Sequence, residues 1–316
     1  MTAAECAKYL SSHDRYLLLT HHNPDGDTVM SAAALCRALR RKNKKAYLFP
    51  NPQIIAKMLP EVEKLFPPKS FKPGCVIAVD LAAENLLPEG YSGIVDLCID
   101  HHPTNGMYAK QTLVKPDCSS CGEVIMEVIK AFAGNITKTE ASLLYIALTT
   151  DTGAFQYANV NPASYLAAAE LLRLGADHPV IMHRYFRECS HARLSLEGLI
   201  YSGLHFYYDG KLVIARVTQQ MMRESGATED DCDDLAGLSG RAENVLMNIT
   251  IRELADGASK ISVRSAPGIS SSAVCEAFGG GGHFMAAGCT IDAEPEKAEQ
   301  LLLDVIDSLR SFETEE

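Results

Sequence analysis

The sequence predicts an α/β protein with a doubly wound parallel sheet in its N-terminal part and a smaller mixed α/β domain in its C-terminal part. Up to about residue 203, short apolar runs alternate with stretches of helical periodicity, a pattern typical of a parallel sheet with crossover helices. Beyond that point, strand-like runs flank Asp209-Gly210 and Asp256-Gly257, and Asp-Gly is a strong hairpin signal. The 316 residues are enough for two hydrophobic cores.

The predicted elements fall into two groups with a connector between them. The first domain spans 1–187, a helical connector spans 188–204, and the second domain spans 205–316. In the first domain we expect helices at 2–12, 28–42, 120–133 and 138–149, and strands at 15–21, 46–49, 75–79 and 94–99. In the second we expect strands at 205–208, 211–217, 244–253 and 259–264, helices at 228–237, 271–278 and 294–313, and a glycine-rich loop at 279–282.

Charge and composition restrict the partners. The net charge of -11 argues against long duplex DNA, because non-specific duplex binding depends on Lys and Arg. No apolar stretch has the length that crosses a bilayer, and the first residues lack the pattern of a secretory signal. Most of the ten cysteines lie in apolar contexts, as buried thiols do in a reducing compartment. We therefore expect a soluble cytoplasmic protein with no membrane partner.

The Cys118-Ser-Ser-Cys121 pair has no role that the sequence assigns. A zinc knuckle would need a second such pair or a His pair nearby, and this sequence has none there. The simpler interpretation is a helix N-terminus with small residues.

Carboxylates and imidazoles follow the ends of several apolar elements. Parallel strands end at one edge of a sheet, and ligands bind in the crevice outside that edge, so these side chains should converge. They are His21, Asp25, Asp27, Asp80, His101 and Asp151.

Convergence of four carboxylates predicts bound cations, because the charges would otherwise repel one another and force some groups to take up protons. Two divalent ions match four negative charges. Mixed carboxylate and imidazole donors suit Mn²⁺, with Zn²⁺, Co²⁺ and Fe²⁺ as alternatives, whereas Mg²⁺ and Ca²⁺ prefer oxygen alone. Paired metals that share a carboxylate and activate a bridging hydroxide predict hydrolysis of a phosphoester or phosphoanhydride.

Each of these residues also has an ordinary interpretation. A single Asp at a strand end is usually a helix N-cap, and an isolated His-His pair is usually not a metal site. The metal site is favoured because the residues occur together in four segments, in a fixed order along the chain. These segments are "HHNPDGDTVMS", "VIAVD", "CIDHHPTN" and "TTDTGAF".

This ordered set resembles the four motifs of the DHH phosphoesterase superfamily, and "SVRS" with "GGGGHFMAAG" resembles its DHH-associated domain. The resemblance covers nearly the whole chain and implies two α/β domains with the active site in the cleft between them. It also implies metal ligation by His21, Asp25, Asp27, Asp80, His101 and Asp151, with Asp80 bridging the two metals. His102 would contact the substrate phosphate, and Asp100 would orient a neighbouring imidazole.

In the C-terminal domain the resemblance implies that the glycine run and the histidine after it contact the nucleotide. Glycines let backbone N–H groups approach an anion closely, and His283 and Arg264 can donate charged hydrogen bonds to phosphate. A flexible linker is the alternative for the glycine run, but the apolar sequence on both sides disfavours it. The predicted substrate-binding residues are His102, Arg264, Gly280, Gly281, Gly282 and His283.

Among the subfamilies, the chain looks most like the nanoRNase/pAp phosphatase group, the bifunctional oligoribonucleases. This implies hydrolysis of short oligoribonucleotides, linear dinucleotides such as pApA, and pAp. One departure is Met30, which stands where the family often has Gly. The alternatives are a cyclic dinucleotide (c-di-AMP) phosphodiesterase and a non-catalytic nucleotide sensor; a RecJ-like exonuclease and a pyrophosphatase fit less well. The sequence does not rank these substrates and is compatible with a homodimer.

Overall fold

A computed structural model of the chain describes residues 1–232 and 235–309. The chain divides into two compact units between Glu188 and Cys189. None of the helices in the described ranges combines the length and the apolar composition that crossing a membrane requires.

The first unit contains a five-stranded parallel sheet with the strand order β2-β1-β3-β4-β5. Its strands are β1 (Tyr16–Leu19), β2 (Ala46–Leu48), β3 (Cys75–Val79), β4 (Leu97–Asp100) and β5 (Gln111–Val114). This is the flavodoxin-like order of doubly wound sheets, in which the chain reverses its winding between β1 and β3. The carboxyl ends of these two strands therefore flank the switch point at which such sheets bind ligands.

The helices of this unit are α1 (Ala3–Ser12), α2 (Gly26–Arg41), α3 (Leu59–Val62), α4 (Cys121–Ala133), α5 (Lys138–Asp151), α6 (Pro162–Arg173) and α7 (His178–Met182). A five-residue π-helical turn, His183–Arg187, follows α7. The main core lies between the sheet and α1, α2, α4 and α5, and it is built from aliphatic side chains of both layers. A smaller cluster that includes Leu19, Val76 and Cys98 lies on the opposite face of the sheet under loop residues.

Capping residues fix where the central helices begin. Asp25 is the N-cap of α2 and accepts a hydrogen bond from the Thr28 amide at 3.0 Å. Ser120 caps α4, and Thr137 forms a reciprocal capping box with Glu140 at the start of α5. Each cap satisfies backbone donors that a helix N-terminus would otherwise leave unpaired.

The second unit contains a six-stranded mixed sheet with the order β10-β11-β9-β8-β7-β6. Its strands are β6 (His205–Tyr207), β7 (Leu212–Val217), β8 (Met247–Glu253), β9 (Ser259–Ser265), β10 (Gly281–His283) and β11 (Ala286–Ile291). Its helices are α8 (His191–Ser202), α9 (Gln219–Ser225), α10 (Ser271–Glu276) and α11 (Pro295–Ser308). Alternate residues of β8, β9 and β11 pack with α10 and α11 in its core.

The predicted fold class is confirmed, with differences in particular elements. The strand predicted at 94–99 begins later, and β5 was not predicted because it is a four-residue strand at the sheet edge with only two buried residues. The described part of the predicted helix at 228–237 forms short 3₁₀ turns instead, at Glu229–Cys232 and Leu235–Gly237. The helix predicted at 294–313 is described as far as Ser308, and its predicted last residues lie outside the described ranges.

The glycine run was predicted as a loop, but its last part is strand β10, which pairs with β11. Neither strand was predicted, because Gly and Ala are poor strand formers and the pairing is decided by the neighbouring sheet. Helix α8 lies in the stretch predicted as a connector, and its Leu196 and Ile200 pack with Ala215 and Val217 of the second unit. The domain limits themselves stay a prediction.

Gly26 allows α2 to begin in contact with the end of α5. A Cβ built on Gly26 would lie 2.4 Å from Oγ1 of Thr150 and 2.8 Å from its Cβ, and real Cβ atoms do not approach so closely. Gly26→Ala should therefore force the two helix ends apart and lower the free energy of unfolding by about 1–3 kcal/mol, as overpacking does. Urea unfolding measures this change. Gly106→Ala is the matched control in the same unit, since its Cβ would meet only Ala82 O at 3.7 Å; equal losses in both variants would contradict the interpretation.

Candidate metal centre

Four segments bring the predicted metal-binding residues together at one edge of the first sheet. His21, Asp25 and Asp27 follow β1, at the start of α2. Asp80 directly follows β3, and His101 directly follows β4. These three segments meet because parallel strands end at the same edge of a sheet. Asp151 does not follow a strand; it is the last residue of helix α5.

The ligand atoms form overlapping groups. His21, Asp25 and Asp80 offer one set of atoms that all lie within 4.8 Å of one another, and Asp27, His101 and Asp151 offer a second such set. A third set consists of Asp80, His101 and His102. Asp80 and His101 therefore belong to more than one group. The geometry fits two neighbouring cations between which these residues lie.

Asp27 is fully buried and is held by the start of α4. Its Oδ2 accepts a hydrogen bond from the Cys121 amide at 2.6 Å, and its Oδ1 accepts one from the Gly122 amide at 2.9 Å. The Ser31 hydroxyl donates a third at 2.9 Å. A helix N-terminus favours a negative charge, so this contact fixes the carboxylate and offsets part of the cost of burying it.

His101 is oriented by a backbone carbonyl. Its Nδ1 lies 3.1 Å from Cys118 O, and because a carbonyl only accepts hydrogen bonds, Nδ1 carries the proton. In the neutral ring this leaves the lone pair on Nε2, which lies 3.5 Å from Asp80 Oδ1 and 3.6 Å from Asp151 Oδ2. His101 Nε2 is buried and has no hydrogen-bond partner among the described residues.

Asp80 has the geometry expected of a shared ligand. Its backbone φ is +56°, a left-handed conformation that costs energy in residues other than Gly. Its Oδ1 is buried, also without a hydrogen-bond partner in the described ranges, and lies 3.6 Å from Nδ1 of His102. Buried polar atoms are nearly always paired, so the unpaired atoms of Asp80 and His101 fit a bound cation.

Burial and mutual repulsion raise the pKa values of three of the carboxylates. For Asp27 and Asp80 burial is the larger cause, and neighbouring carboxylates add to it. For Asp151, burial and then the charge of Asp25 raise the pKa to about 7. Without a cation, the site therefore retains protons that ordinary carboxyl groups would have lost.

Asp100 and His102 form a pair beside the cluster. His102 Nδ1 lies 2.8 Å from Asp100 Oδ1, and this hydrogen bond is the main cause that raises the pKa of His102. Burial raises the pKa of Asp100, but hydrogen bonds from His102 and Asn105 outweigh burial and lower it. Asn105 Nδ2 donates to Asp100 Oδ2 at 2.6 Å. Asp100 thus orients the neighbouring imidazole, and Nδ1 of His102 is engaged by a carboxylate.

The two charged residues predicted to bind substrate in the second unit lie on one face of its sheet. Across β9, β11 and β10, Arg264 is opposite Ala286, which is opposite His283. Residues in register share a face, and this face is opposite the one that packs on α10 and α11. Both Arg264 and His283 are exposed.

The glycines of the run have different structural roles. A Cβ on Gly280 would lie 2.4 Å from Cys289 Cβ, and one on Gly282 would lie 2.6 Å from Ala286 O, with φ +147° at Gly282. Packing and backbone conformation therefore require these two glycines. Gly281 has nothing within 4 Å of its ideal Cβ and an ordinary φ.

Sequence reasoning missed the groups that orient the ligands. Ser31 and Asn105 lie within the first and third motifs but were given no role, Asn159 lies outside the four motifs, and the remaining contacts come from backbone groups of the Cys118–Gly122 segment. The sequence assigned no role to the Cys118/Cys121 pair. In the structure its backbone contacts His101 and Asp27, whereas the Cys121 thiol donates a hydrogen bond to Ile99 O. Met30 is fully buried in the core behind the site.

Comparison with known proteins agrees with this fold. Residues 15–148 match the DHH family, N-terminal domain, and residues 209–311 match the DHHA1 domain. The chain belongs to the DHH family of phosphoesterases.

Among its relatives is the bifunctional oligoribonuclease and PAP phosphatase NrnA of Thermus thermophilus, which is 31% identical over 92% of this chain and 88% of the relative. A crystal structure of an exopolyphosphatase-related protein from Bacteroides fragilis superposes with a TM-score of 0.88 at 22% identity, covering 98% of this chain and 96% of that one. RecJ of Thermus thermophilus in complex with Mn²⁺ gives a TM-score of 0.58 at 17% identity, over 99% of this chain and 55% of RecJ. The two structures support the fold.

The raised carboxylate pKa values predict how stability depends on pH. Between the ordinary Asp pKa of about 4 and the raised pKa of Asp151, about 7, the metal-free folded state holds more protons than the unfolded state, so its stability falls as pH rises. A bound divalent cation would compete with those protons, so the stabilisation that it provides should increase over the same interval. Thermal unfolding from pH 5 to 8, in EDTA and in Mn²⁺, measures both trends.

Asp151→Asn is the control for this prediction, because it replaces the carboxyl with a neutral group of the same shape. The metal-free variant should lose less stability than the wild type as pH rises. An identical pH dependence in both proteins would contradict the assignment of the raised pKa to Asp151.

Proposed function

We propose that this protein is a metal-dependent phosphoesterase that hydrolyses short oligoribonucleotides and linear dinucleotides such as pApA to mononucleotides, and pAp to AMP. The observation that carries the proposal is the convergence of four carboxylates and two imidazoles at the switch point, where buried atoms of Asp80 and His101 have no hydrogen-bond partner among the residues that the structure describes. The substrate class is supported by the relative that is named for oligoribonuclease and PAP phosphatase activity.

The proposed enzyme would use two divalent cations as its cofactor. His21 and Asp25 would hold one, Asp27, His101 and Asp151 the other, and Asp80 both. Such ions act as Lewis acids on a phosphoryl oxygen and lower the pKa of water to provide a nucleophile at neutral pH. Mn²⁺ is our choice, because mixed imidazole and carboxylate donors suit it better than Mg²⁺ or Ca²⁺.

His102 would bind the substrate phosphate. Its Nδ1 is engaged by Asp100, so Nε2 is the atom left to donate. The hydrogen bond to Asp100 raises the pKa of the ring and favours the protonated form, which makes a charge-assisted hydrogen bond to an anion. Asp100 also fixes the plane of the ring, so the donor does not have to be ordered when the substrate binds.

The exposed part of the second sheet's face opposite its core, on β9, β11 and β10, would bind the nucleotide. Arg264 and His283 offer charged donors there, and Gly281 leaves the backbone of the edge strand β10 accessible beside His283. Packing does not require a glycine at position 281. A glycine there does let a phosphate or sugar approach the backbone N–H groups closely.

The first experiment is product analysis with pApA, pAp and c-di-AMP side by side, in Mn²⁺ and in EDTA. We expect Mn²⁺-dependent AMP from pApA and from pAp. Asp80→Asn is the matched inactive variant: Asn tolerates the left-handed backbone at this position but removes the charge, so turnover should fall at least a hundredfold, about 2.7 kcal/mol in activation free energy. Turnover of c-di-AMP alone would show that the protein is a cyclic dinucleotide phosphodiesterase instead. Turnover without a metal ion would contradict the proposed metal centre.

Gly281→Val tests the second unit separately. Nothing lies within 4 Å of the Gly281 Cβ position, so the variant should fold and bind Mn²⁺ as the wild type does. Its KM for pApA should rise about tenfold or more, because a branched side chain would stand where the ligand approaches the backbone. Gly282→Val is the contrasting variant, which should lose stability through its contact with Ala286 O. An unchanged KM in Gly281→Val would place the nucleotide elsewhere.

A further inference from the structure

One short segment, Asp117–Gly122, contains the end of the loop after β5 and the first two residues of α4, and it contacts ligand residues through its backbone. The Cys118 carbonyl accepts a hydrogen bond from His101 Nδ1, and the first two amides of α4 donate to Asp27. These contacts fix two of the three residues in one group of ligand atoms, the group that Asp151 completes.

Asn159 connects the third residue of that group to the same segment. Its Nδ2 donates to Ser119 O at 2.9 Å and to Asp151 O at 3.1 Å, and it lies 3.4 Å from Asp151 Oδ2. An amide group has two N–H bonds, so at least one of them is shared among these three acceptors. Asn159 therefore joins the end of α5 to the Asp117–Gly122 segment.

The turn between Asp151 and Asn159 is strained. Gly153, Ala154 and Phe155 have φ values of +54°, +55° and +66°, and left-handed conformations cost energy in the two residues that are not Gly. Strain of this kind persists where the surroundings enforce it, and it is concentrated at functional sites. Here the turn brings Asn159 back to the backbone of Asp151, and the Phe155 ring stacks on Tyr165 with centroids 5.1 Å apart.

The Asp117–Gly122 segment distinguishes the two groups of ligand atoms. All three residues of the Asp27, His101 and Asp151 group are hydrogen-bonded to it, directly or through Asn159. Within the described ranges, we find no hydrogen bond from this segment to any residue of the other group, His21, Asp25 and Asp80.

We propose that Asn159 is a positioning residue that holds Asp151 against the Asp117–Gly122 segment and thereby sets the affinity of one metal position independently of the other. This inference rests on the proposed two-metal function. Partners that orient metal ligands typically change metal affinity by a factor of 10–100 when they are removed. Loss of Asn159 should therefore affect the position formed by Asp27, His101 and Asp151 and leave the other nearly unchanged.

Asn159→Ala and Asn161→Ser are the two variants for the test. Asn161 Nδ2 donates to Asp117 O at 3.0 Å, so it contacts the same segment, but its other hydrogen bonds cap α6 and none is to a ligand residue. Serine keeps the capping function, which makes Asn161→Ser a matched control. Metal-free full-length proteins are titrated with Mn²⁺ by calorimetry, and electron paramagnetic resonance distinguishes isolated Mn²⁺ from coupled Mn²⁺ pairs. Thermal unfolding in EDTA reports on folding.

In Asn159→Ala we expect one Mn²⁺ to bind as in the wild type and the other to bind 10- to 100-fold more weakly. The spectrum at stoichiometric Mn²⁺ should then show isolated ions, and the coupled signal should return at high Mn²⁺. Two unchanged binding events in Asn159→Ala would overturn this inference alone. So would equal weakening of both events, or the same loss in Asn161→Ser, because both describe a general structural role. Wild-type protein that binds fewer than two Mn²⁺ would overturn the proposed centre, and this inference with it.

Discussion

The four carboxylates at the edge of the parallel sheet repel one another, and the arrangement around them limits that repulsion. Asp27 lies at the N-terminus of α4, where backbone amides supply partial positive charge. Burial and neighbouring charges nevertheless raise the pKa values of Asp27, Asp80 and Asp151. The first unit is therefore built to receive positive charge at this edge, and divalent cations are its natural complement.

The first sheet supplies this site through its topology. Because β1 and β3 lie side by side while the chain continues from β1 to β2 on one side and from β3 to β4 on the other, the segments that follow the two strands separate and leave a crevice. Helix α2, which follows β1, has Asp25 as its N-cap and Asp27 in its first turn, and α5 adds Asp151 from its end. The second sheet offers a different surface, since the face opposite its core carries exposed donors in register across β9, β11 and β10.

Sequence reasoning succeeded where residue type and position carry the information. Apolar runs followed by Asp or His predicted β1, β3 and β4 and the residues after them, because a buried parallel strand is nearly continuous in its hydrophobicity. It missed β5, β10 and β11, whose residues are polar at the edge or small, and whose strand conformation depends on pairing with a neighbour. It also missed the contacts of Cys118, Cys121 and Gly122, because backbone groups make them and any residue type can supply a carbonyl or an amide.

The contact between Gly26 and Thr150 has a consequence for the spacing of the two groups of ligand atoms. Asp25 belongs to one group of ligand atoms and Asp27 to the other, and only Gly26 separates them. The distance between the groups is thus limited by the covalent length of one tripeptide, whose central residue is pressed against the helix that ends in Asp151. The Asp25-Gly26-Asp27 tripeptide keeps the two groups of ligand atoms at a nearly constant distance. The other residues of the two groups would therefore have to move to accommodate ions of different radius.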